Sequence, residues 1–217
     1  MSMITGFLAD VTANFRPVIV QAVFLAVQCI LYFGVEKFEG PPHNIYRDID
    51  RSIPFQPGWV YIYILWFPLI FLFPVALYFA DPAVYARYLA AAAADIVISI
   101  AVYLLYPTSF ERPVPPDTFT GRLMKTVYSG SYKGVNCMPS MHCSMCWLVI
   151  AAALICPALG GPARFLSILV AALIIISTMT TKQHAFLDMA SAIPVAALSW
   201  LAGGLLPMEG LLRWLAG

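Results

Sequence analysis

Long apolar runs separated by polar loops are the feature that most constrains the fold of this chain. Of its 217 residues, 61% are hydrophobic and only 11% are charged. A helix needs about 20 mostly apolar residues to cross the hydrocarbon core of a bilayer, and several runs approach that length. Because every backbone polar group must be satisfied internally in lipid, such runs favour helices. The sequence therefore predicts an integral membrane protein of the all-α class.

Six apolar runs predict a six-transmembrane-helix bundle. Their approximate ranges are 18–35, 59–79, 84–106, 142–159, 165–180 and 186–206. The turns at 81–83 and 160–164 are short, so the helices that they join should pack as antiparallel neighbours. With no internal repeat or low-complexity segment, residues 1–217 are predicted to form a single membrane domain. The first run lacks the basic region and cleavage pattern of a signal peptide, so we expect it to be retained.

An even number of spans places both chain termini on one side of the membrane and three polar loops on the other. These loops cover residues 36–57, 107–141 and 181–185. They hold nearly every polar residue with catalytic potential. We therefore expect the loops to converge on one active site at one membrane face.

A histidine and an aspartate lie four residues apart where the last apolar run begins. If His184 and Asp188 belong to one helix, they share a face. The carboxylate can then accept a hydrogen bond from one imidazole nitrogen, which fixes the tautomer and leaves the other nitrogen free to react. Alternatively, the two side chains only satisfy each other at a membrane surface. The pair alone does not decide between these readings.

A second histidine and several cations in the same loops favour phosphoryl transfer without a metal. One of the two histidines, His142 and His184, can attack phosphorus while the other protonates the leaving oxygen. Ser140 lies just before a predicted helix and can present a hydroxyl and backbone N–H groups to an anion. Cations hold the phosphate oxygens, and the loops supply Arg47, Arg51, Arg112, Arg122, Lys125, Lys133 and Lys182.

Three segments resemble the signature motifs of the type-2 phosphatidic acid phosphatase superfamily. They are Tyr106-Pro107-Thr108 through Arg112-Pro113, then Asn136-Cys137-Met138-Pro139-Ser140-Met141-His142, then Lys182-Gln183-His184 with Asp188. The branch that holds the inositol phosphorylceramide synthases is the most similar. The motifs cover about residues 106–188, and the six-span layout extends the resemblance over most of the chain.

The resemblance implies a role for each matching residue. His184 would be the nucleophile that forms a phosphohistidine, and Asp188 would orient it. His142 would be the general acid for the leaving group. Arg112 would bind the phosphate, and Ser140 would help to hold its oxygens. No metal and no other cofactor is expected.

Two cations of the wider family's phosphate site are replaced in this sequence. Leu105 stands seven residues before Arg112, where the family has Lys, and Thr178 stands six before His184, where it has Arg. A phosphodiester carries one negative charge, whereas a monoester carries nearly two at neutral pH. Fewer cations therefore favour a diester substrate. The loops offer three cations that could compensate, namely Lys182, Arg51 and Lys133.

The predicted function is a membrane lipid phosphotransferase that moves a phosphorylated headgroup between phospholipid or sphingolipid substrates. The alternative is a lipid phosphate phosphatase with the same residues, in which water instead of an alcohol resolves the phosphoenzyme. A net charge of +1 gives no electrostatic footprint for nucleic acid.

Charge and resemblance disagree about which side of the membrane the loops face. The excess of Lys and Arg in the loops would place them in the cytoplasm by the positive-inside rule. The resemblance implies the extracytoplasmic face, of the cytoplasmic membrane if the protein is bacterial. We follow the resemblance, because several of these cations are candidates for phosphate binding.

Other readings of single motifs are weaker. Cys143 and Cys146 form a C-x-x-C pair that would suit a thiol oxidoreductase, but only Cys137 lies in a polar loop near them. A zinc site of Cys137, His142 and Cys143 fits no standard spacing.

Asp95 lies in mid-span, and we favour a structural role for it. A scaffold without chemistry would not need both histidines. The aromatic residues near span ends are interpreted as interface anchors, among them Trp59, Tyr61, Tyr63, Tyr128 and Trp214.

Overall fold

A computed structural model describes residues 3–38, 40–130 and 134–217 of the chain. It is 75% helical, which confirms the predicted all-α class. In chain order, the helices of these residues are α1 (Met3–Ala13), α2 (Arg16–Val35), α3 (Asp48–Ser52), α4 (Val60–Tyr63), α5 (Trp66–Ala80), α6 (Pro82–Leu105), α7 (Phe119–Gly130), α8 (Met141–Ile155), α9 (Gly161–Thr180), α10 (Phe186–Gly203) and α11 (Glu209–Ala216). Short 3-10 turns cover Pro57–Trp59 and Pro157–Leu159, and the two-residue strands are β1 (His43–Asn44) and β2 (Thr108–Ser109).

Five helical segments of the described residues are long and apolar enough to cross a membrane, which supports a membrane protein. They are α2, the segment Pro57–Ala80 that contains α4 and α5, α6, α9 and α10. The helix in the fourth predicted span, α8, is apolar but has only 15 residues. At 1.5 Å per residue it is about 22 Å long, less than the ~30 Å hydrocarbon core. The exact count of six spans therefore stays a prediction.

The second predicted span is interrupted rather than continuous. Helix α4 ends at Tyr63 and α5 begins at Trp66. Pro68 has no backbone N–H, so it cannot bond to the carbonyl of Ile64 as a helix would require. The following turn is tight because Asp81 caps α6, where its carboxylate accepts hydrogen bonds from the backbone N–H groups of Ala83 and Val84.

Helix α6 lies at the centre of the bundle and packs against α2, α5, α8 and α10. Its alanines 90–92 are buried, as expected for close helix packing. The closest approach is to α10. There a Cβ added to Gly203 would lie 2.7 Å from the backbone nitrogen of Ala91 and 2.7 Å from the carbonyl oxygen of Arg87.

The two ends of the bundle have the arrangement that the loop pattern predicts. At one end the terminal segments meet, because the Asn14 amide donates to the carbonyl of Leu215 at 2.8 Å. At the other end the three polar loops join. Strands β1 and β2 pair in parallel, and the backbone N–H of Gln56 donates to the carbonyl of Thr180 at 2.8 Å. The predicted convergence of the loops is thus confirmed. The polar loop 107–141 contains helix α7.

Candidate active site

A cavity of about 330 Å³ lies at the end of the bundle where the three loops join. We call it the histidine cavity, because His142 and His184 both line it, together with Arg112. Its remaining walls come mainly from aromatic and apolar side chains of α2, α4, α5 and α7.

The histidine and aspartate of the third loop contact each other, although not in the way that the helix argument supposed. Helix α10 begins at Phe186, so His184 precedes the helix and the two residues do not share a helix face. The Nδ1 atom of His184 nevertheless lies 3.2 Å from Oδ2 of Asp188. The same oxygen accepts from the backbone N–H of Ala185 at 2.8 Å. Asp188 thus caps its own helix and holds His184 at once.

The surroundings of His184 fix its tautomer. Besides Asp188, its Nδ1 lies 3.1 Å from the carbonyl oxygen of Cys137. A carbonyl oxygen can only accept a hydrogen bond, so Nδ1 carries the proton. In the neutral ring, Nε2 is then left with its lone pair. The side chain of His184 is buried and that nitrogen faces the second histidine.

His142 lies in the first turn of α8, with its ring next to that of His184. The distance between Nδ1 of His142 and Nε2 of His184 is 3.4 Å. Helix α8 begins there because Ser140 is its N-cap, whose hydroxyl oxygen accepts from the backbone N–H of Cys143 at 3.3 Å. The backbone N–H of Ser140 donates to the carbonyl of Asp188 at 3.1 Å. The starts of α8 and α10 are therefore tied together, which brings the two histidines into contact.

The residues before Ser140 are held in place by hydrogen bonds to the third predicted span and to the loop that follows it. The Tyr103 hydroxyl donates to the carbonyl of Pro139 at 2.7 Å. The backbone N–H of Met138 donates to the Thr108 hydroxyl at 2.9 Å. Since Thr108 belongs to β2, the three segments that resemble family motifs form one connected structure.

Arg112 is the cation that the structure places at the histidine cavity. Its guanidinium lies over the ring of Tyr128, 5.2 Å from the ring centroid. Burial raises the pKa of Tyr128 to about 12, and the nearby guanidinium opposes that rise. Ser140, by contrast, is fully buried and does not line the cavity. Its hydroxyl oxygen caps α8.

Of the three cations expected to compensate for the missing pair, Lys182 and Arg51 do not line the cavity. Lys182 is buried, and its ammonium donates to the carbonyl of Asp50 at 2.6 Å. Burial lowers the pKa of Lys182, while Asp50 opposes this change. Arg51 pairs with Asp48 at 2.9 Å, with both side chains largely exposed, and neither Arg51 nor Lys182 lines the cavity. Lys133 lies outside the described residues.

The positions of the replaced family cations do not face the cavity either. Leu105 is 84% exposed, at the end of α6. Thr178 is fully buried, and its hydroxyl lies 3.4 Å from Sγ of Cys143.

Asp50 has a role that sequence reasoning missed. Arg51 and Asp48 form an exposed ion pair, but Asp50 between them is only 2% exposed. Its carboxylate accepts from the backbone N–H of Phe186 at 2.6 Å and from that of Arg47 at 2.8 Å. It therefore anchors the first loop to the start of α10, a contact that no local pattern announces.

Tyr63 is the second residue that the sequence reading misplaced. It was interpreted as an interface anchor, but it is 5% exposed and lies inside the bundle. Its hydroxyl is 2.9 Å from Nε2 of His142. The ring of Trp66, one turn further on, lies 4.3 Å from the His142 ring. Both residues line the histidine cavity.

The alternative chemistries receive no support from the geometry. All five cysteines belong to the described residues and are free thiols, and Cys143 and Cys146 are fully buried in the bundle, whereas reactive thiols need access. Within the described ranges, no group of three or more His, Cys, Asp or Glu side chains could hold a metal ion. Asp95 accepts a hydrogen bond from the Ser144 hydroxyl at 2.8 Å between α6 and α8, away from the cavity.

Comparison with known proteins gives one match. A family model described as the PAP2 superfamily matches residues 52–202, more than two thirds of the chain. The matched range contains all five residues that the motif resemblance singled out, Arg112, Ser140, His142, His184 and Asp188. No curated protein matches the chain, and no solved structure does.

Proposed function

Because the chain belongs to the PAP2 superfamily, whose members are phosphatases or phosphotransferases, we propose that it is a membrane lipid phosphotransferase. It transfers a phosphorylated headgroup from one lipid to another through a phosphohistidine. The observation that carries this proposal is the series of contacts from Asp188 to His184 to His142 in an apolar-walled cavity.

Two steps account for the transfer. In the first, Nε2 of His184 attacks phosphorus, the bond to the donor lipid's alcohol breaks, and the leaving oxygen takes a proton from His142. In the second, the acceptor alcohol gives its proton to His142 and attacks the phosphohistidine, which restores His184. Asp188 holds the proton on Nδ1 and stabilises the positive charge that develops on the ring, as the carboxylate does in other triads.

The charge at the cavity favours a diester group. Among the residues that the structure describes, Arg112 is the single Lys or Arg that lines the cavity. Its planar guanidinium can bind two phosphate oxygens. One fixed cation matches the single negative charge of a phosphodiester better than the near-double charge of a monoester.

The walls of the cavity support a lipid substrate. Phe33 on α2 and Phe67 on α5 both line it. Their side chains are 49% and 58% exposed, on helices long enough to span a membrane. The cavity thus borders the bundle surface that would contact lipid. An acyl chain can lie along this apolar wall while its phosphate reaches the histidines.

A lipid phosphate phosphatase is the second candidate, because the family includes phosphatases and the same residues would serve hydrolysis. Both enzymes form the same phosphohistidine. They differ in whether water or an alcohol attacks it.

Further features of the proposal rest on the motif resemblance and the apolar runs. The chain is placed in the branch that resembles inositol phosphorylceramide synthases. It forms a single membrane domain of six spans, of which the fourth, α8, is short. The histidine cavity faces the extracytoplasmic side, of the cytoplasmic membrane if the protein is bacterial.

A product assay on the purified protein in detergent tests the proposal. Labelled phosphatidate and a set of labelled phosphodiester lipids are offered with and without ceramide or diacylglycerol. Headgroup that appears on the acceptor lipid is the expected result and identifies both substrates. Free phosphate from phosphatidate, indifferent to the acceptor, would make the protein a phosphatase instead.

A further inference from the structure

The hydroxyl of Tyr63 is the hydrogen-bond partner of the outer nitrogen of His142. The two atoms lie 2.9 Å apart, and the rings of the two residues stack with their centroids 4.9 Å apart. Trp66 packs on the same imidazole from α5. The ring of His142 is therefore held by one hydrogen bond and two aromatic contacts, all from the interrupted second span.

The hydrogen bonds of the two histidines form a series with one direction. His184 carries its proton on Nδ1, as the Cys137 carbonyl requires, so its Nε2 can only accept. The contact of that Nε2 with His142 is then a hydrogen bond only when Nδ1 of His142 carries a proton. In a neutral His142 ring, Nε2 must accept, and the Tyr63 hydroxyl supplies the donor.

We propose that Tyr63 is a positioning residue that makes Nδ1 the acid–base nitrogen of His142. This proposal rests on the proposed function. A phenol can donate to Nε2 in the resting neutral ring or accept from Nε2–H in the imidazolium. When the imidazolium gives its Nδ1 proton to the leaving alcohol, it keeps its Nε2 proton hydrogen-bonded to the phenol oxygen, and Nδ1 then takes a proton from the attacking alcohol. That nitrogen points toward Nε2 of His184, where phosphorus is bound.

The replacement Tyr63→Phe tests this role, because it removes the hydroxyl and keeps the ring. Two donors with the same phosphoryl group are compared, one with an alkyl alcohol and one with p-nitrophenol as leaving group. An alkoxide needs protonation as it leaves and p-nitrophenolate does not. We expect kcat for the alkyl donor to fall about tenfold to hundredfold, with a much smaller loss for the p-nitrophenyl donor. The matched control is Tyr61→Phe, whose hydroxyl instead contacts Thr120 at the surface, and it should lose neither activity.

Two outcomes would overturn the role of Tyr63. Equal losses with both donors would show a general structural defect rather than a defect in proton transfer. A double-mutant comparison guards against partial misfolding. If Tyr63 acts through His142, Tyr63→Phe should add no further loss in a His142→Ala background, and an additive loss would contradict the proposal. A wild-type protein inactive with every donor would reject the proposed function instead.

A separate observation concerns two buried amides of the histidine cavity. Asn136 and Gln183 line the cavity and are 1% and 2% exposed. The Asn136 amide nitrogen donates to the carbonyl of Tyr32, so Oδ1 of Asn136 points away from that carbonyl. Within the described residues, neither Oδ1 of Asn136 nor Nε2 of Gln183 has a hydrogen-bond partner. Leaving such groups unpaired in a buried site is energetically costly.

One neutral acceptor and one neutral donor match a hydroxyl group, which both donates and accepts. We infer that Asn136 and Gln183 bind a hydroxyl of the substrates that the proposed function requires. The hydroxyl belongs either to a polyhydroxylated headgroup or to the acceptor alcohol. In either case the hydroxyl lies beside His184. Gln183 directly precedes His184, and Asn136 directly precedes Cys137, whose carbonyl oxygen contacts Nδ1 of His184.

The replacement Gln183→Leu separates the two sources. Phosphatidylglycerol is compared with its deoxy analogue phosphatidylpropanol as donor, and transfer to an alcohol is compared with transfer to water. If the headgroup binds there, the wild type should prefer phosphatidylglycerol by about five- to tenfold and the variant should lose that preference. If the acceptor binds there, the ratio of transfer to alcohol over transfer to water should instead fall in the variant by a similar factor.

The control is Gln21→Leu, which removes another buried amide, bonded to the carbonyl of Ile70 and remote from the cavity. It should change neither ratio. A Gln183→Leu protein with both ratios unchanged would overturn the hydroxyl site and leave the phosphotransferase proposal intact. Absence of transfer from any donor in the wild type would reject the phosphotransferase proposal.

Discussion

At the scale of single residues, the site depends on which nitrogen of each histidine is occupied. The Cys137 carbonyl and the Asp188 carboxylate both lie within 3.2 Å of Nδ1 of His184. Their arrangement leaves one lone pair pointing into the cavity. A nucleophile prepared in this way needs no change of tautomer before it reacts.

Replacing His184 with Ala should therefore abolish turnover, because no other nucleophile of the described residues occupies its place. We expect loss of at least about 10⁴-fold in kcat, comparable with the removal of a triad member in other enzymes. The measurement is headgroup transfer by detergent-purified protein, with thermal unfolding to confirm the fold. A folded His184→Ala protein with full activity would contradict the phosphohistidine.

The corresponding change at His142 should separate the two roles. We expect His142→Ala to be slow with lipid donors but still to form phosphoenzyme from a p-nitrophenyl donor, which needs no general acid. The readout is acid-labile label on the denatured protein. At neutral pH this label should be lost more slowly than the native protein turns over. No label on His142→Ala with the activated donor would argue that His142 itself is the nucleophile.

At the scale of helices, the bundle is organised by close packing around α6. The alanine run allows α10 to approach until Gly203 meets the backbone of α6. Both helices then hold the elements of the site in place, because α10 carries Asp188 and α6 carries Tyr103.

Adding one methyl group at Gly203 should destabilise the bundle. In Gly203→Ala the new Cβ would lie 2.7 Å from backbone atoms of α6, so the helices must separate. We expect a loss of about 1–3 kcal/mol in the free energy of unfolding, as for other overpacked sites. Gly204→Ala is the matched control, because its Cβ would be 3.4 Å from its nearest neighbour. Equal thermal stability of the two variants in detergent would show that the contact between α6 and α10 is not tight.

Much of this level was predictable from the sequence. The apolar runs predict the long helices, because burial in lipid leaves helices as the economical structure. The alanine run at 90–94 predicts close helix packing. The break between α4 and α5 depends on a single residue, Pro68, within an otherwise apolar run, and α7 has too few apolar residues to be found as a span. Neither the break nor α7 changes the hydrophobic periodicity from which helices are predicted.

At the scale of the whole molecule, the site is built where segments remote in sequence meet. The convergence of the loops was predictable, because alternating spans put every second loop on one side. The contacts of Tyr63 and Asp50 were not. Each depends on a partner 79 or 136 residues away, His142 and Phe186, and no local pattern encodes such a pairing.

The assembled site predicts independence from divalent metals. The proposed chemistry uses imidazole, guanidinium and hydroxyl groups to do what a metal does elsewhere. Headgroup transfer should therefore stay within about twofold of its original rate in excess EDTA, a change well below the 10²-fold and larger effects that loss of a catalytic group causes. Loss of activity with EDTA and recovery with zinc would contradict this and would point to the thiol and imidazole groups around Cys137.

The hydrogen bond between Asp50 and the backbone of Phe186 also has a consequence for biogenesis. It joins the first loop to the start of the last spanning helix, 136 residues later. A nascent chain that has emerged only as far as α9 lacks His184 and Asp188 as well as this anchor. Under the proposed mechanism, the chain therefore becomes competent for catalysis only after α10 has been made, and an earlier ribosome-bound intermediate cannot act on surrounding lipids.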